Sequence, residues 1–178
     1  MTHHNLIAGK LDLGFSSSLK ELPFSSSFFK KLTIVTQCLS NFLTHSSPRG
    51  LGLKKLGAKQ FSVHVSLCGL GKIKALNREY REKDKATDVL SFPMYDNLRD
   101  SDEGLFEFCE LGDIIICSPI MKKQAVEFSL TSEEEFFHLL VHGFLHLCGY
   151  DHEVSAQEER LMEGLEKRLI KNISRGLA

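Results

Sequence analysis

No stretch of this chain reaches about 18 consecutive apolar residues, so the sequence offers no helix able to span a bilayer and no membrane partner is expected. The opening MTHHNLIAGKLDLGF lacks a basic segment followed by an apolar one, and no signal peptide is expected. No CxxC pair occurs among the five cysteines, Cys38, Cys68, Cys109, Cys117 and Cys148. An odd, scattered set argues against a disulfide framework or a cysteine zinc site, and reads as free thiols in a reducing cytoplasm. No internal repeat or linker divides the 178 residues, and residues 1–178 are expected to form a single domain. Charge of one sign is missing too, since the net value is −1, so nothing global calls for a polyanion.

What is present is unevenly placed. From Arg49 to Lys85 ten Lys or Arg stand against three acids, and from Asp96 to Asp113 seven acids stand against Arg99 alone. A basic block beside an acidic one permits nucleic-acid contact on one face. Apolar content of 42% and charged content of 25% are those of an ordinary globular chain.

Periodicity then assigns elements. Leu11, Leu13 and Phe15 alternate as in a strand, while the serine-rich SSSLKELPFSSS around Leu19 reads as loop. Phe28, Leu32, Val35, Leu39 and Phe42 make one face of a helix, and Thr44 to Gln60 is a loop by its Gly, Pro and Ser content. FSVHVSL is a strand with His64 facing outward. Residues 71–82 form a helix with Ile73, Leu76 and Tyr80 on one side. TDVLSFP is a strand that Pro93 confines to an edge or end, and LGDIIIC is another. Ser118-Pro119 starts a helix as cap and first residue. Thr131 and Glu134 have capping-box spacing for the next, and a last helix from about Ser155 carries Leu161, Met162, Leu165, Leu169 and Ile173. These elements read as one α+β domain with four strands and about five helices.

The helix from Thr131 to Cys148 is apolar nearly all round, as a helix in the middle of a domain is. Its polar line after the first turn is His138, His142 and His146. A buried imidazole has to be hydrogen-bonded or ligated. At about 1.5 Å rise per residue, His138 and His146 lie roughly 12 Å apart, too far for one ion with bonds of about 2 Å. His142 and His146 are one turn apart and can share it. Gly149 can end the helix in a left-handed conformation and let the chain return His152 to the same point. His138 is left as a core residue or a neighbour of the ligands. Three neutral imidazoles suit zinc, one ion per chain, or another divalent transition metal, and leave an open coordination position. Such a position lowers the pKa of bound water and polarises substrate oxygen. Cys148, two residues from His146, should point away.

HGFLHLCGYDH, from His142 to His152, therefore has the spacing of the metzincin metalloprotease motif HExxHxxGxxH, with Gly143 in place of the glutamate. With no side chain there to take a proton, peptide hydrolysis by that route loses its base. Phosphodiester cleavage relies more on neutralising phosphoryl charge, and asks for a cation near the metal. The basic block from Arg49 to Lys85 is the place to look.

NREYREKDKATDVLSFP (Asn77 to Pro93), LGDIIIC and HGFLHLCGYDH, in that order, resemble the bacterial YbeY family of metal-dependent endoribonucleases. The likeness covers roughly residues 61–153, and residues 1–60 match poorly. Ala86 stands where many members have proline. The resemblance implies a single compact α+β domain with a small mixed sheet of four strands, zinc held by His142, His146 and His152, and a functionally important arginine at Arg81. It implies single-strand-specific cleavage in ribosomal RNA maturation at the small-subunit 3′ end, ribosome quality control, a cytoplasmic setting, and the ribosome or its proteins as partners. Read by itself, Arg81 is a planar donor fork suited to phosphate, set before the KDKATD turn inside the basic block. Lys83 and Lys85 are further candidates for substrate backbone contact. Asp88 and Asp113 fit either turn caps or the site. Two other readings stand beside this one: a metalloprotease or other zinc-dependent hydrolase, and a non-catalytic ribosome-assembly factor with a structural metal.

Overall fold

The structure is a computed structural model and describes residues 2–44, 58–96, 98–100 and 107–178. Most of the expected Thr44–Gln60 loop, with Arg49, Lys54 and Lys55, lies outside these, as does 101–106 of the acidic block. Strand β1 (Thr2–Ala8) turns at Gly9-Lys10 into β2 (Leu11–Ser17), antiparallel, with Ala8 opposite Leu11. Gly9 holds φ +59° in the first place of this two-residue turn, where a side chain would also meet the Ser40 hydroxyl. Helix α1 (Phe28–Thr44) crosses over to β3 (Gln60–Cys68), parallel to β2. Then follow α2 (Leu70–Arg81), β4 (Val89–Pro93), β5 (Phe108–Cys117), α3 (Ser118–Glu127), α4 (Ser132–Leu147) and α5 (Ala156–Leu177).

The sheet order is β1-β2-β3-β5-β4, with β3 and β5 parallel and β4 antiparallel to β5 at the edge. Among the described residues the sheet thus has five strands rather than four. The additional one is β1, whose THHNLIA is mostly polar because it is an edge strand open to solvent on most of its length. Pro93 sits where an edge strand tolerates it, at the end of β4.

Alternation along β2 and β3 sends Leu11, Leu13, Phe15, Phe61, Val63, Val65 and Leu67 to one face. Helices α1, α4 and α5 cover that face, and α4 is its centre: Phe136, Leu140, Val141, Phe144, Leu145 and Leu147 are all fully buried. The start of α4 is locked to α1 and β2 through edge-on rings, Phe136 lying 5.3 Å from Phe28 of α1 and 6.0 Å from Phe15 of β2. On the other face α2 covers a smaller cluster of Cys68, Ile73, Leu90 and Cys117. His64 lies on the open part of that face, half-buried, its Nε2 2.9 Å from the Ser16 hydroxyl.

Three local expectations shift. Helix α3 starts one residue early, so Cys117 is the cap and Ser118-Pro119 are the first two helical residues. Leu161 is on the exposed side of α5, whose buried stripe is Met162, Leu165, Leu169 and Ile173. Tyr80 is 61% exposed, because the last turn of α2 lies at the edge of the sheet, beside Phe92 of edge strand β4, and not over the cluster that encloses Ile73.

Candidate metal centre and its cavity

Helix α4 is built to deliver its last two turns to a fixed place. Thr131 accepts a hydrogen bond from the Glu134 amide (3.2 Å), and the Glu134 carboxylate accepts one from the Thr131 amide (2.8 Å), a complete capping box. Glu133, Glu134 and Glu135 sit in the positive first turn. At the other end Gly149 takes φ +90°, and its amide donates to the His146 carbonyl (2.9 Å). The chain reverses through buried Tyr150, against which Arg99 lies 4.9 Å from the ring centre while bonding Glu158 of α5 (2.7 Å).

That reversal carries His152 back over α4. One ring nitrogen each from His142, His146 and His152 lie within 4.8 Å of one another. The Nε2 atoms of His142 and His146 are 3.1 Å apart. Two imidazoles on one tetrahedral ion with bonds of about 2.0–2.1 Å would sit about 3.3 Å apart, so the pair is nearly at ligating separation. Burial first, then the facing His142 and His152 rings and the Arg81 guanidinium, pull the His146 pKa down to about 4, with Asp151 opposing. His146 is therefore neutral at physiological pH, the form that binds metal.

Glu166 of α5 supplies what spacing in the sequence did not reveal. Its Oε1 is 2.7 Å from His142 Nδ1. A carboxylate has only acceptors, so Nδ1 carries the proton and the lone pair of Nε2 faces the other histidines. This is the carboxylate–histidine arrangement that orients metal ligands. The one legible signal was an acid set among the apolar stripe of α5, between Leu165 and Leu169.

His138 stays outside the trio. It is half-buried in a separate groove of about 290 Å³ with Phe137, Ile170 and Ile173, and burial lowers its pKa despite Glu134 and Glu166. Cys148 is fully buried and its thiol pushed well up by burial, then by Cys109; it is no part of the cluster.

The trio opens into a cavity of about 370 Å³. Its opposite wall is β4 and the segment before it, Thr87 to Ser91 with Pro93, and Arg81 enters from the end of α2. Arg81 is the last helical residue because Glu82 takes φ +57°, and buried Asn77 holds the turn beyond by donating to the Lys85 carbonyl (2.7 Å). Lys83 and Lys85 are exposed on that turn and do not line the cavity. Asp88 both lines the cavity and organises it. Burial opposes its charge, but hydrogen bonds from Gln124 (2.8 Å), the Val89 amide (2.9 Å) and Thr87 (3.0 Å) outweigh it and lower its pKa. Asp113 lies on β5 opposite Phe92, away from the lining.

Gly143 faces the sheet. A Cβ there would stand 2.8 Å from Ile114 Cγ2 and 2.9 Å from Ser91 Oγ. Helix α4 approaches β4 and β5 so closely that a side chain here would force Ile114 or Ser91 to shift, and Ser91, on the near side of β4, reaches the cavity wall.

Among known proteins, a family model described as Endoribonuclease YbeY matches residues 31–174. The chain is similar to "Endoribonuclease YbeY" of Persephonella marina, 41% identical over 121 residues, covering 68% of this chain and 76% of that one. The protein of the same name from Aquifex aeolicus is 39% identical over 127 residues, 71% and 80% of the two chains. Among solved structures it is similar to that of TM1509 from Thermotoga maritima, determined in solution, with a TM-score of 0.55, 27% identity, and coverage of 90% and 88%. A match over most of the chain, with relatives of this identity over three quarters of their length, makes this chain a member of the YbeY family.

Proposed function

We propose that the chain is a zinc-dependent, single-strand-specific endoribonuclease that acts in ribosomal RNA maturation, at the small-subunit 3′ end, and in ribosome quality control. The observation that carries this is the convergence of three imidazoles and one guanidinium on a single cavity. The endoribonuclease name borne by its relatives supports the same reading. His142, His146 and His152 are the residues that would hold the ion, and an all-imidazole set suits zinc or another divalent transition metal. Bound there, it supplies an electrophile for a phosphoryl oxygen and acidifies water at its open position. Arg81 binds the phosphate and stabilises charge as it builds on the phosphoryl oxygens. Lys83 and Lys85, outside the cavity, contact the flanking strand through its phosphates. Glu166 holds the proton on His142 Nδ1, and Asp88 keeps the β4 wall in place. The ribosome or its proteins present the RNA, in the cytoplasm, a reducing compartment that suits five free thiols.

Peptide hydrolysis is less well supported, because position 143 has no side chain to take a proton, and one placed there would press on Ile114 and Ser91. A non-catalytic assembly factor differs in its response to chelator, which would then lower the melting temperature without abolishing any turnover. The deciding experiment is cleavage of single-stranded and structured RNA by wild type, Arg81→Ala and His142→Ala, each with metal content measured. Arg81→Ala should keep its metal and lose cleavage, and His142→Ala should lose both. Metal-loaded wild type that cuts no RNA, single-stranded or structured, refutes the proposal.

A further inference from the structure

Two polar groups behind the cavity wall lack the partners that burial demands. Glu135, in the first turn of α4, is 4% exposed, yet no hydrogen bond or ion pair from a described residue meets its carboxyl. Gln124 of α3 donates from Nε2 to Asp88 Oδ2 (2.8 Å), while its own Oε1 is buried with no donor. Its amide cannot be turned round, because a carboxylate only accepts and so requires the NH2 side. Residues 128–131 join α3 to α4, and the two helices pack on each other. Gln124 is fourth from the end of α3 and Glu135 fourth from the start of α4, which puts them at one level of this helical hairpin. Asp88 meets both, binding Gln124 directly and acting by its charge on Glu135. The other charges nearby are directed elsewhere. Lys122, Lys123 and Glu127 of α3 are exposed; on α4, Glu133 pairs with Lys31, Glu134 caps Thr131, and His138 responds to Glu134 and Glu166. Burial first, then Asp88, raise the Glu135 pKa above its ordinary 4.5.

We infer that Glu135 is a positioning residue that works as the uncharged acid, donating its proton to the Gln124 carbonyl oxygen so that Gln124 holds Asp88 on the cavity wall. An ionised Glu135 has acceptors only and leaves Gln124 Oε1 bare, whereas the acid has the one donor that this pair lacks. A buried acceptor left unmet is costly, so the proton is worth keeping. The chain then runs without a gap from the Glu135 hydroxyl to Gln124, and from Gln124 to Asp88 Oδ2. Asp88 Oδ1 completes it by accepting from the Val89 amide and the Thr87 hydroxyl at the head of β4. Loss of the proton sets a second negative charge near Asp88 and frees the far side of Gln124. Glu135 lines no part of the cavity and acts through Asp88, which does. The effect on cleavage rests on the proposed RNA-cleaving function; the protonation of Glu135 does not.

Carboxyl NMR of isotope-labelled glutamate in the metal-loaded protein should show a group titrating above 4.5 that is missing from Glu135→Gln and moves down in Asp88→Asn. A raised folded-state pKa contributes stability that is full below the ordinary value and is lost as pH rises through the folded one. The urea midpoint of wild type should therefore fall across that window relative to Glu135→Gln, whose amide can donate to Gln124 at every pH. In RNA cleavage the ratio of wild-type kcat to that of Glu135→Gln should fall across the same window, a comparison that cancels every titration the two proteins share. Gln124→Met keeps the size and removes the amide. It should lower kcat about 10-fold or more, the worth of a hydrogen bond to a charged group, and make Glu135→Gln silent when the two are combined. A Glu135 that titrates at or below 4.5, parallel urea profiles, or a flat kcat ratio overturns the inference and leaves the nuclease reading intact. A wild type that cuts no RNA overturns the proposed function instead, and the carboxyl titration and urea profiles then decide the state of Glu135 by themselves.

Discussion

Replacing Gly143 by alanine sets two known effects against each other. In an exposed helix interior the change is favourable by about 1 kcal/mol, since glycine has the greater freedom to lose. Here the added methyl would lie 2.8 Å from Ile114 Cγ2, 3.3 Å from Ile114 Cδ1 and 2.9 Å from Ser91 Oγ. Ile114 is completely buried in β5, so it has no open space to swing into. Overpacking of this sort costs about 1–3 kcal/mol. The balance is a net loss of about 1 kcal/mol, read as a lower urea midpoint at unchanged slope by far-ultraviolet circular dichroism. In an Ile114→Ala background, where both methyls are gone, the same substitution should become stabilising. The coupling between the two should exceed about 1 kcal/mol. Gly143→Glu, which writes the protease residue back, should be far worse than alanine because it also buries a carboxylate. A Gly143→Ala protein more stable than wild type, with no coupling to Ile114, would refute the close-approach argument.

Three further outcomes follow from specific contacts. Glu166→Gln should weaken metal affinity about 10- to 100-fold, measured by competition with a chromogenic chelator, while the helical signal is unchanged; equal affinity would mean the His142 contact orients nothing. Thr131→Ala removes the hydroxyl that accepts from the Glu134 amide and should cost about 1 kcal/mol in urea denaturation, while the bond from the residue-131 amide to the Glu134 carboxylate survives. Glu133 is buried at the foot of α4; burial opposes its charge, but Lys31 and the Ser25 amide outweigh it and hold the carboxyl below its ordinary 4.5. A depressed folded-state pKa contributes stability above that ordinary value and loses it as pH falls through the folded one, so Glu133→Gln should flatten the stability profile below about pH 4.5. Parallel profiles for the two proteins would sink that assignment.

The parts of the fold that were legible in the sequence are those decided by local chemistry. The capping box of Thr131 and Glu134, the five-residue apolar face of α1 and the alternation in FSVHVSL each depend on residues within a few positions of one another, and all appear as read. So does the return of His152, since one glycine at φ +90° decides the reversal. What stayed hidden depends on where an element ends up. THHNLIA carries little apolar signal because β1 borrows its order from β2 through backbone pairing. Tyr80 shares a helical face with Ile73, yet Ile73 is enclosed while Tyr80 stays largely open beside Phe92 of the edge strand. Glu166 and His142 are 24 residues apart on two helices, and no spacing within either announces that they meet.

Gly143 joins these two kinds of information. In sequence it reads as a catalytic residue left out of a familiar pattern. In the fold it lies where α4 rests on Ser91 and Ile114, and a side chain there would have to displace one of them. The histidines belong to α4 and its reverse turn, whereas Arg81, Asp88 and Ser91 belong to α2, β4 and the segment between them. Nothing in the histidine helix alone would bring a phosphate-binding wall beside the metal ligands. The contact that does so is α4 against β4, and its spacing is set at the one position of the His142–His146 turn that carries no side chain. A glutamate at 143 would push the two walls apart before it could serve as a base. The glycine thus belongs to the close packing of α4 on β4 beside a cavity lined by imidazoles on one side and a guanidinium on the other, and at this position a side chain has to displace Ile114 or Ser91 before it can act as a base.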